Sequence, residues 1–398
     1  MNRAIRCGIA LGWAMGAALC LGQASPPPQS QRKIALALEQ QGKNVEAEAA
    51  WRVYLKDHPS SPEPYAHLGL LEARQEHYKE AVPLYRKALA MNPEIPGLRL
   101  NLGLALFKGG ELKQAIQEFQ PLLKSQPPSS PEAQRLTILL GMAHYGLSEY
   151  AEAVPFLKAA AAQDAQNLPL RLALAHSCLW TKQFQCVLDV YHEILMLDAE
   201  SAESDMLAGE ALDEKKDITG AIQQFRAAIK VNPREPNVHF GLGYLLWTQT
   251  EYREAASEFQ AELANDPDHI QSMLYLADSE IQQNQYEAAA PLLEKVLKQD
   301  SGVGLAHLDL GIVLAQAGRY DEALRELTAA AKLMPGDVNV HWRLARLYRS
   351  MGKMDEAKAE FAKASSLNKA ADESLFNKIK NGQPRSAPAQ QPAPPPEK

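Results

Sequence analysis

The chain has 398 residues, of which 46% are apolar and 22% carry a charge. This balance excludes disorder over most of the length, because enough apolar surface is present to form a core. The formal net charge is −7, and no stretch concentrates Lys and Arg, so nucleic acid is not an expected partner. The length fits two or three ordinary domains or one long repeat array.

The first 24 residues predict a cleaved export signal. Arg3 and Arg6 supply positive charge, residues 8–21 form a short apolar run, and small residues precede a cleavage site after Ala24. As a helix the run would span about 21 Å, which is less than the ~30 Å core of a bilayer. We therefore expect an exported protein, periplasmic or secreted, with no membrane span after cleavage. An uncleaved signal would leave it membrane-tethered. Residues 25–30 are a short leader.

The same skeleton of residues recurs ten times along the chain. A Gly or Ala is followed twelve positions later by a second small residue, Val187 being the exception, and four further on by a bulky residue. Successive copies are 34 residues apart, except that the step from Gly103 to Gly141 is 38. The bulky positions are Trp51, Tyr85, Phe119, Leu157, Tyr191, Phe225, Phe259, Leu293, Leu327 and Phe361.

Each copy predicts a helical hairpin. Apolar residues recur at helical spacing in two runs, separated by a polar break such as residues 75–77. Small residues allow the two helices to approach closely, and the bulky residue fills the space between one hairpin and the next. Several copies close on a Pro, which cannot continue the second helix. One hairpin cannot bury its apolar face alone, so its stability depends on stacked neighbours.

This pattern resembles the tetratricopeptide repeat family over residues 28–369. The resemblance implies an all-α fold, an α-α superhelical solenoid of helical hairpins with a concave groove. Repeats 1–3 are expected at residues 31–127 and repeats 4–10 at residues 134–369. The family's Trp column is held here by Tyr65, His239, His307 and His341, which is expected to weaken individual hairpins.

Three segments lie outside the regular repeats. Residues 128–133 are rich in Pro and Ser and predict an extended, irregular joint. Residues 370–382 predict a C-terminal capping helix, in which Leu375, Phe376 and Ile379 cover the last hairpin. Residues 383–398 are rich in Pro, Ala and Gln and predict a disordered tail.

Two cysteines remain once the signal is removed. Cys178 and Cys186 are eight positions apart, and such a pair favours a disulfide in an oxidising compartment. The alternative is two small apolar side chains packed in a helical hairpin, and the sequence leaves both open.

No motif of catalysis or of cofactor or metal binding is complete. Residues 191–196 begin like the helix of a zinc protease, but Met196 stands where the second ligand would be. The acidic set of the sixth repeat is interpreted as a solvated helix face: Glu203, Glu210, Asp213 and Glu214. We therefore predict a non-enzymatic protein without cofactor or metal.

In the family, the first helix of each repeat lines the concave groove, and the resemblance therefore implies which residues face a partner. This lining is apolar and rich in aromatic residues, which together with Arg are common anchors of interfaces. We expect the ligand to be a protein segment or partner domain with apolar side chains and an acidic end near Arg346. The predicted partner-binding residues are Leu100, Leu104, Phe107, Met142, Tyr145, Trp180, Phe240, Tyr244, Trp247, Leu274, Ile281, Trp342, Arg346 and Arg349, and the path also includes Ile138, Leu172, Leu179, Leu308 and Ile312. The alternative is that some of them pack inside the superhelix.

Three functions are consistent with these features. The first is an exported scaffold that holds an envelope or secreted protein in its groove. The second is a self-assembling structural protein, a homo-oligomer. The third is a component of a polysaccharide or pilus biogenesis machine. A binding site for the acidic tails of chaperones is not expected, because Leu36, Leu70 and Leu104 replace the Asn of that clamp.

Overall fold

A computed structural model of the chain describes residues 28–164, 166–197 and 200–380, without the side chains of 28–29, 371–372 and 374–380. The described residues form twenty α-helices and no strand, so the all-α prediction is confirmed. The predicted signal, residues 25–27 of the leader and the predicted tail lie outside the described residues. None of the described helices is both long enough and apolar enough to cross a bilayer.

The chain divides into two compact bodies, each of which is described by itself. The N-terminal body comprises the described residues up to 149 and the C-terminal body the described residues from 150 onward. The boundary lies inside the fourth repeat, about one helix later than the joint predicted at 128–133. Within each body every helix packs against the next one along the chain.

The helices alternate as the first and second helices of the repeats. The N-terminal body contains α1 (Pro28–Gln40), α2 (Asn44–Asp57), α3 (Pro62–Arg74), α4 (Tyr78–Met91), α5 (Leu98–Lys108), α6 (Leu112–Ser125) and α7 (Pro131–Gly146). The C-terminal body contains α8 (Tyr150–Gln163), α9 (Leu168–Trp180), α10 (Phe184–Met196), α11 (Ala202–Glu214), α12 (Ile218–Val231), α13 (Val238–Thr248), α14 (Tyr252–Asn265), α15 (Ile270–Gln282), α16 (Tyr286–Gln299), α17 (Gly304–Gln316), α18 (Tyr320–Leu333), α19 (Val338–Ser350) and α20 (Met354–Lys380).

The small and bulky columns pack against each other. A Cβ added at Gly69 would lie 2.8 Å from ring atoms of Tyr85, and one added at Gly243 would lie 2.8 Å from the ring of Phe259. The bulky residue also reaches the next repeat, since the Phe259 ring lies 5.9 Å from that of Tyr275. It therefore fills the space between hairpins, as predicted, and also the space inside its own hairpin.

The turn between the two helices of each repeat contains one residue with a positive φ. It occupies the same position in all ten repeats, and only four of these residues are glycines: Gly42, Glu76, Gly110, Ser148, Lys182, Lys216, Thr250, Asn284, Gly318 and Gly352. A left-handed backbone strains any residue with a Cβ, and β-branched Thr250 at φ 63° is the least suited of the ten.

The predicted irregular joint is not what the structure shows. Residues 131–133 are helical, because Pro131 occupies the start of α7 and the Ser130 side chain accepts a hydrogen bond from the Ala133 amide at 3.1 Å. The connection is residues 126–130, no longer than the six-residue connection 92–97. The four extra residues lengthen α7, which has 16 residues where the other first helices have 11 to 13.

The predicted capping helix is not a separate element. Helix α20 runs without a break from Met354 to Lys380, because no Gly or Pro interrupts the sequence before Gly382. The side chains of Leu375, Phe376 and Ile379, which were expected to cover the last hairpin, lie outside the described set.

The histidines of the aromatic column hold their hairpins in the same way as the tyrosine. The Tyr65 hydroxyl donates to the Pro59 carbonyl at 3.2 Å, and Nε2 of His341 reaches the Pro335 carbonyl at 3.1 Å. Nδ1 of His341 also contacts Glu360 at 2.6 Å, a contact repeated at His239 and His307. The expectation that these histidines weaken their hairpins is therefore not supported.

Cys178 and Cys186 are bonded as a disulfide between α9 and α10, with their Cα atoms 6.0 Å apart. Cys178 is fully buried. The bond ties together the two helices of the fifth repeat.

The left-handed turn position predicts a reciprocal effect of Gly and Thr on stability. Thr250→Gly is expected to raise the free energy of unfolding by about 1 kcal/mol, because Gly adopts positive φ without strain. Gly318→Thr places the same strain in the ninth repeat and should lower it by a similar amount. Urea unfolding followed by circular dichroism measures the free energy of unfolding of both variants. A change in the same direction for the two variants would contradict strain at this position as the cause.

Candidate partner-binding face

The first helices of the C-terminal body lie side by side. Direct neighbours are α9 with α11, α13 with α15, α15 with α17 and α17 with α19. Because the repeats in this body are 34 residues long, equivalent positions of successive first helices point the same way. We call the surface formed by these equivalent positions on α9, α11, α13, α15, α17 and α19 the first-helix face.

An aromatic cluster forms the middle of the first-helix face. Phe240, Tyr244 and Trp247 lie on one side of α13, since residues three and four apart share a helix face. Tyr275 on α15 meets all three, with ring centroids 6.0, 5.4 and 5.1 Å away. All four side chains are half-buried, so the cluster keeps an apolar surface open to solvent.

Two polar contacts orient the aromatic cluster. Trp247 donates its indole N–H to Oδ2 of Asp278 at 2.6 Å, which holds the ring in one orientation. Burial raises the pKa of the Tyr275 hydroxyl to about 12, with smaller contributions from Tyr244 and Asp278. Tyr275 is therefore neutral at physiological pH and remains a hydrogen-bond donor.

A tryptophan and three arginines form one end of the first-helix face, on α19. Trp342 is 39% exposed, and the guanidinium carbons of Arg346 and Arg343 lie 4.6 and 5.4 Å from its ring centre. Burial lowers the pKa of Arg343, and the positive charge of Arg346 lowers it further. Among the described residues, none of Arg343, Arg346 and Arg349 takes part in an ion pair.

Carboxylates dominate the first-helix face at α11. Glu203 lies 2.8 Å from Nε2 of His176 on α9. The side chain of Glu210 is exposed, yet desolvation by surrounding protein raises its pKa, with His176 opposing and Asp213 adding to the shift. Burial also raises the pKa of Asp213, with Glu214 adding to it.

Two of the predicted binding residues are part of the core. Leu274 and Ile281 on α15 are each only 8% exposed and belong to the apolar cluster formed by α15 to α19. Leu308 and Ile312 on α17 are buried in the same cluster. The apolar path predicted through the eighth and ninth repeats is therefore closed by the protein's own packing, which was the alternative left open by the sequence.

The predicted binding residues of the third and fourth repeats lie in the N-terminal body. They are half-buried on α5 and α7: Leu100, Leu104, Phe107, Met142 and Tyr145. The Phe107 ring packs 6.4 Å from that of Phe119 on α6. In the C-terminal body, Trp180 is 46% exposed and stacks on Tyr150 at 5.7 Å.

Three residues of the face were missed by the sequence reasoning. Tyr275 and Arg343 occupy the position next to a column used for the prediction. Asp278 lies in such a column itself, 34 residues after Tyr244, and was overlooked because it is not apolar. The sequence does contain a signal for Tyr275 and Arg343. Aromatic or charged residues recur one position after the column of Phe240, Leu308 and Trp342, as at Asp309. No group of three His, Cys, Asp or Glu suited to a metal ion occurs among the residues that the structure describes.

Comparison with family models identifies the repeats. A model described as tetratricopeptide repeat matches residues 32–94, 192–270 and 274–338. A second model with the same description matches residues 72–137 and 314–373. Together they cover most of the described chain, in both bodies.

Curated relatives are similar over part of their length. Cellulose synthase operon protein C of Xanthomonas axonopodis pv. citri is 26% identical over 318 residues, which are 78% of this chain and 18% of that protein. Anaphase-promoting complex subunit 3 of Schizosaccharomyces pombe is 24% identical over 208 residues, 52% of this chain and 31% of that protein. The chain thus spans less than a third of either relative.

Solved structures are similar over less than half of the chain. YrrB, described as a TPR protein with an unusual peptide-binding site, has a TM-score of 0.40 and 18% identity, covering 48% of this chain and 97% of its own. A crystal structure of MamA has a TM-score of 0.38 and 20% identity, covering 42% of this chain and 96% of its own.

A buried carboxyl beneath the face predicts a pH-dependent stability. Burial raises the pKa of Asp309 well above its usual value, Asp278 raises it further and Arg343 acts in the opposite direction. A carboxyl with a raised pKa in the folded state lowers stability while it is ionised. This loss is present above the folded pKa and disappears as the pH falls towards the unfolded value of about 3.9.

Asp309→Asn is therefore expected to stabilise the protein at pH 7 by about 1 kcal/mol, and the gain should shrink on acidification. Urea unfolding at a series of pH values measures the effect. Asp189→Asn on the exposed surface of α10 is the matched control and should change little at any pH. A gain that is independent of pH would rule out ionisation of Asp309 as its cause.

Proposed function

Because the chain belongs to the tetratricopeptide repeat family, we propose that it is an exported, non-enzymatic scaffold that binds a segment of a partner protein on the first-helix face of its C-terminal body. The aromatic cluster of α13 and α15 carries this proposal, because its rings are ordered by each other and still reach solvent. Half-buried aromatic surface rimmed by charge usually marks an interaction site.

The composition of the face supports a protein ligand. Trp, Tyr and Arg are the residues most enriched among the energetic anchors of protein interfaces. The face provides Trp247 with a fixed indole, Tyr244 and Tyr275 beside it, and Trp342 under two guanidinium groups. These rigid side chains lose little conformational freedom on binding, so contacts made with them are retained as affinity.

The layout of the face supports an elongated ligand. Successive first helices place equivalent side chains at roughly 10 Å intervals. An extended strand or an amphipathic helix presents side chains along a line and matches such a row. We therefore favour a segment over the flat surface of a folded domain.

A second candidate is the same scaffold working within a polysaccharide or pilus assembly machine. The observation that favours it is the match to cellulose synthase operon protein C, over 78% of this chain. The mechanism would be unchanged and only the partner would differ.

Export is part of the proposal. It is supported by the signal-like residues 1–24 and by the disulfide between Cys178 and Cys186, since such bonds persist in oxidising compartments.

The chain recovered from the envelope or medium of an expressing bacterium is expected to begin at Ser25. Its Cys178 and Cys186 should resist alkylation until a reductant is added. N-terminal sequencing and mass spectrometry with and without reductant measure both. A chain recovered only from the cytoplasm, with residues 1–24 attached and both thiols free, would contradict export.

The double variant Trp247→Ala and Trp342→Ala tests the face. It is expected to keep its helix content and to lose partner capture from a crosslinked envelope extract by at least about tenfold, because it removes two anchors. The matched control is Val231→Ala with Leu333→Ala, two exposed apolar residues on second helices, which should capture normally. Equal capture by the Trp variant and the control would reject the face as the binding site.

A further inference from the structure

We infer that the segment bound by the first-helix face carries opposite charges at its two ends, an inference that rests on the proposed function. A basic side chain lies at α11, aromatic or aliphatic side chains lie over α13 and α15, and an acidic side chain lies at α19. These positions specify the order in which basic, apolar and acidic side chains follow one another along the ligand. Charge is separated along the face.

The two ends of the face have opposite sign. At α11, in the sixth repeat, Glu210, Asp213 and Glu214 project within two turns of helix. At α19, in the tenth repeat, Arg343, Arg346 and Arg349 do the same. Glu210 lies three and four residues before Asp213 and Glu214, and the three arginines follow one another in steps of three, so one side of each helix presents its set together.

Neither set is fully neutralised by the protein, although His176 acts on Glu210, Lys216 on Asp213 and Asp309 on Arg343. Within the described residues, Glu210, Asp213 and Glu214 take part in no ion pair, and the same holds for the three arginines. The pKa shifts agree with this crowding. Desolvation raises the pKa of Glu210, with His176 opposing and Asp213 adding to the shift. Desolvation and Arg346 lower the pKa of Arg343, and Asp309 opposes this. Both sets would be stabilised by an opposite charge from a ligand.

The middle of the face selects against negative charge. Its one accessible acid, Asp278, accepts hydrogen bonds from the Trp247 indole at 2.6 Å and from Gln282 at 3.2 Å. The surrounding surface consists of the rings of Phe240, Tyr244 and Tyr275. An acidic ligand side chain placed there would lose water and lie near the Asp278 carboxylate without gaining a partner.

The α19 end is shaped for a carboxylate. Two guanidinium groups lie over the exposed Trp342 ring, which limits their freedom and leaves N–H donors at their edges. Arg presents paired donors that match the two oxygens of a carboxylate. An aspartate or glutamate of the ligand fits this arrangement.

The span sets the length of the ligand. Four steps between first helices at roughly 8–10 Å each make roughly 32–40 Å. An extended chain rises ~3.3 Å per residue, so about 10–12 residues reach from α11 to α19. The charges place the basic end of the ligand at α11 and the acidic end at α19, whether its backbone runs in one direction or the other.

Peptide selection tests the inference. A phage-displayed library of random peptides of about 12 residues is selected on the full exported chain, on R346E/R349E and on E210K/D213K. Wild-type peptides should carry Lys or Arg towards one end, Asp or Glu towards the other and aromatic or aliphatic residues between. R346E/R349E should select peptides that are basic at both ends, and E210K/D213K peptides that are acidic at both ends.

Measured peptide affinities test the inference quantitatively. A synthetic wild-type peptide should lose about tenfold or more in affinity on either charge-reversed variant, and the loss should diminish in high salt. Circular dichroism checks the fold of each variant. If a reversal prevents folding, R346Q/R349Q or E210Q/D213N replaces it, and the selected peptides should then lose their charge preference at that end alone.

The outcomes separate the inference from the proposed function. Aromatic-rich peptides without charge order would overturn the inference and leave the proposed function intact. No enrichment on the wild-type chain would overturn both. A purified dimer that R346E/R349E converts to a monomer would identify a second copy as the occupant, which also overturns the inference.

Discussion

The fold depends on the contact between a small residue of each first helix and a bulky residue of the second helix in the same repeat. At Gly69 and Gly243 the ring of the partner lies so close that an added Cβ would reach 2.8 Å from it. The absent side chain lets the two helices approach, and the ring then fills the remaining gap as well as the space towards the next repeat. Burial of a bulky side chain such as Phe119 or Phe259 is complete as a result. A single hairpin could not shield such a side chain on both sides, which is why the repeats are stable only as a stack.

The same contact explains why a binding face arises on the first helices. Because the contact between small and bulky residues recurs at a fixed spacing, it aligns equivalent positions of successive first helices. Residues that share a position in the repeat therefore lie side by side in a row on the surface. Phe240 and Tyr275 meet because they occupy adjacent positions in neighbouring repeats. Trp247 and Asp278 are hydrogen-bonded for the same reason. Partner recognition is thereby separated from stability, since the residues of this row can vary while the small and bulky columns stay constant.

Tolerance to substitution differs between the structural positions. The aromatic column accepts His in place of Tyr, because His341 reaches the same type of carbonyl and gains a carboxylate contact as well. The left-handed turn position accepts Lys, Thr and Glu as well as Gly, because the backbone hydrogen bonds on either side impose the conformation. At Thr250 these include the bond from its own amide to the Trp247 carbonyl at 2.9 Å. The buried acids Asp309 and Glu280 are less well accommodated, since desolvation raises the pKa of both.

The amino-acid sequence by itself determined the helical repeats, their number and the identity of the small and bulky columns, because these follow from periodicity, which is a local property. It also indicated that the aromatic residues of α13 and the Trp and Arg residues of α19 share a face. Only the tertiary structure decided that Leu274 and Ile281 are buried in the apolar cluster of α15 to α19 rather than exposed, since burial depends on what neighbouring repeats place over a residue. It also placed the extra turn within α7 and extended α20 through the predicted cap, where helix capping and the absence of a helix breaker outweighed the expected boundaries. Tyr275 belongs to the aromatic cluster for a related reason. It stands one position after the residue equivalent to Phe240, and the close packing of α13 against α15 brings its ring into contact with the rings of α13.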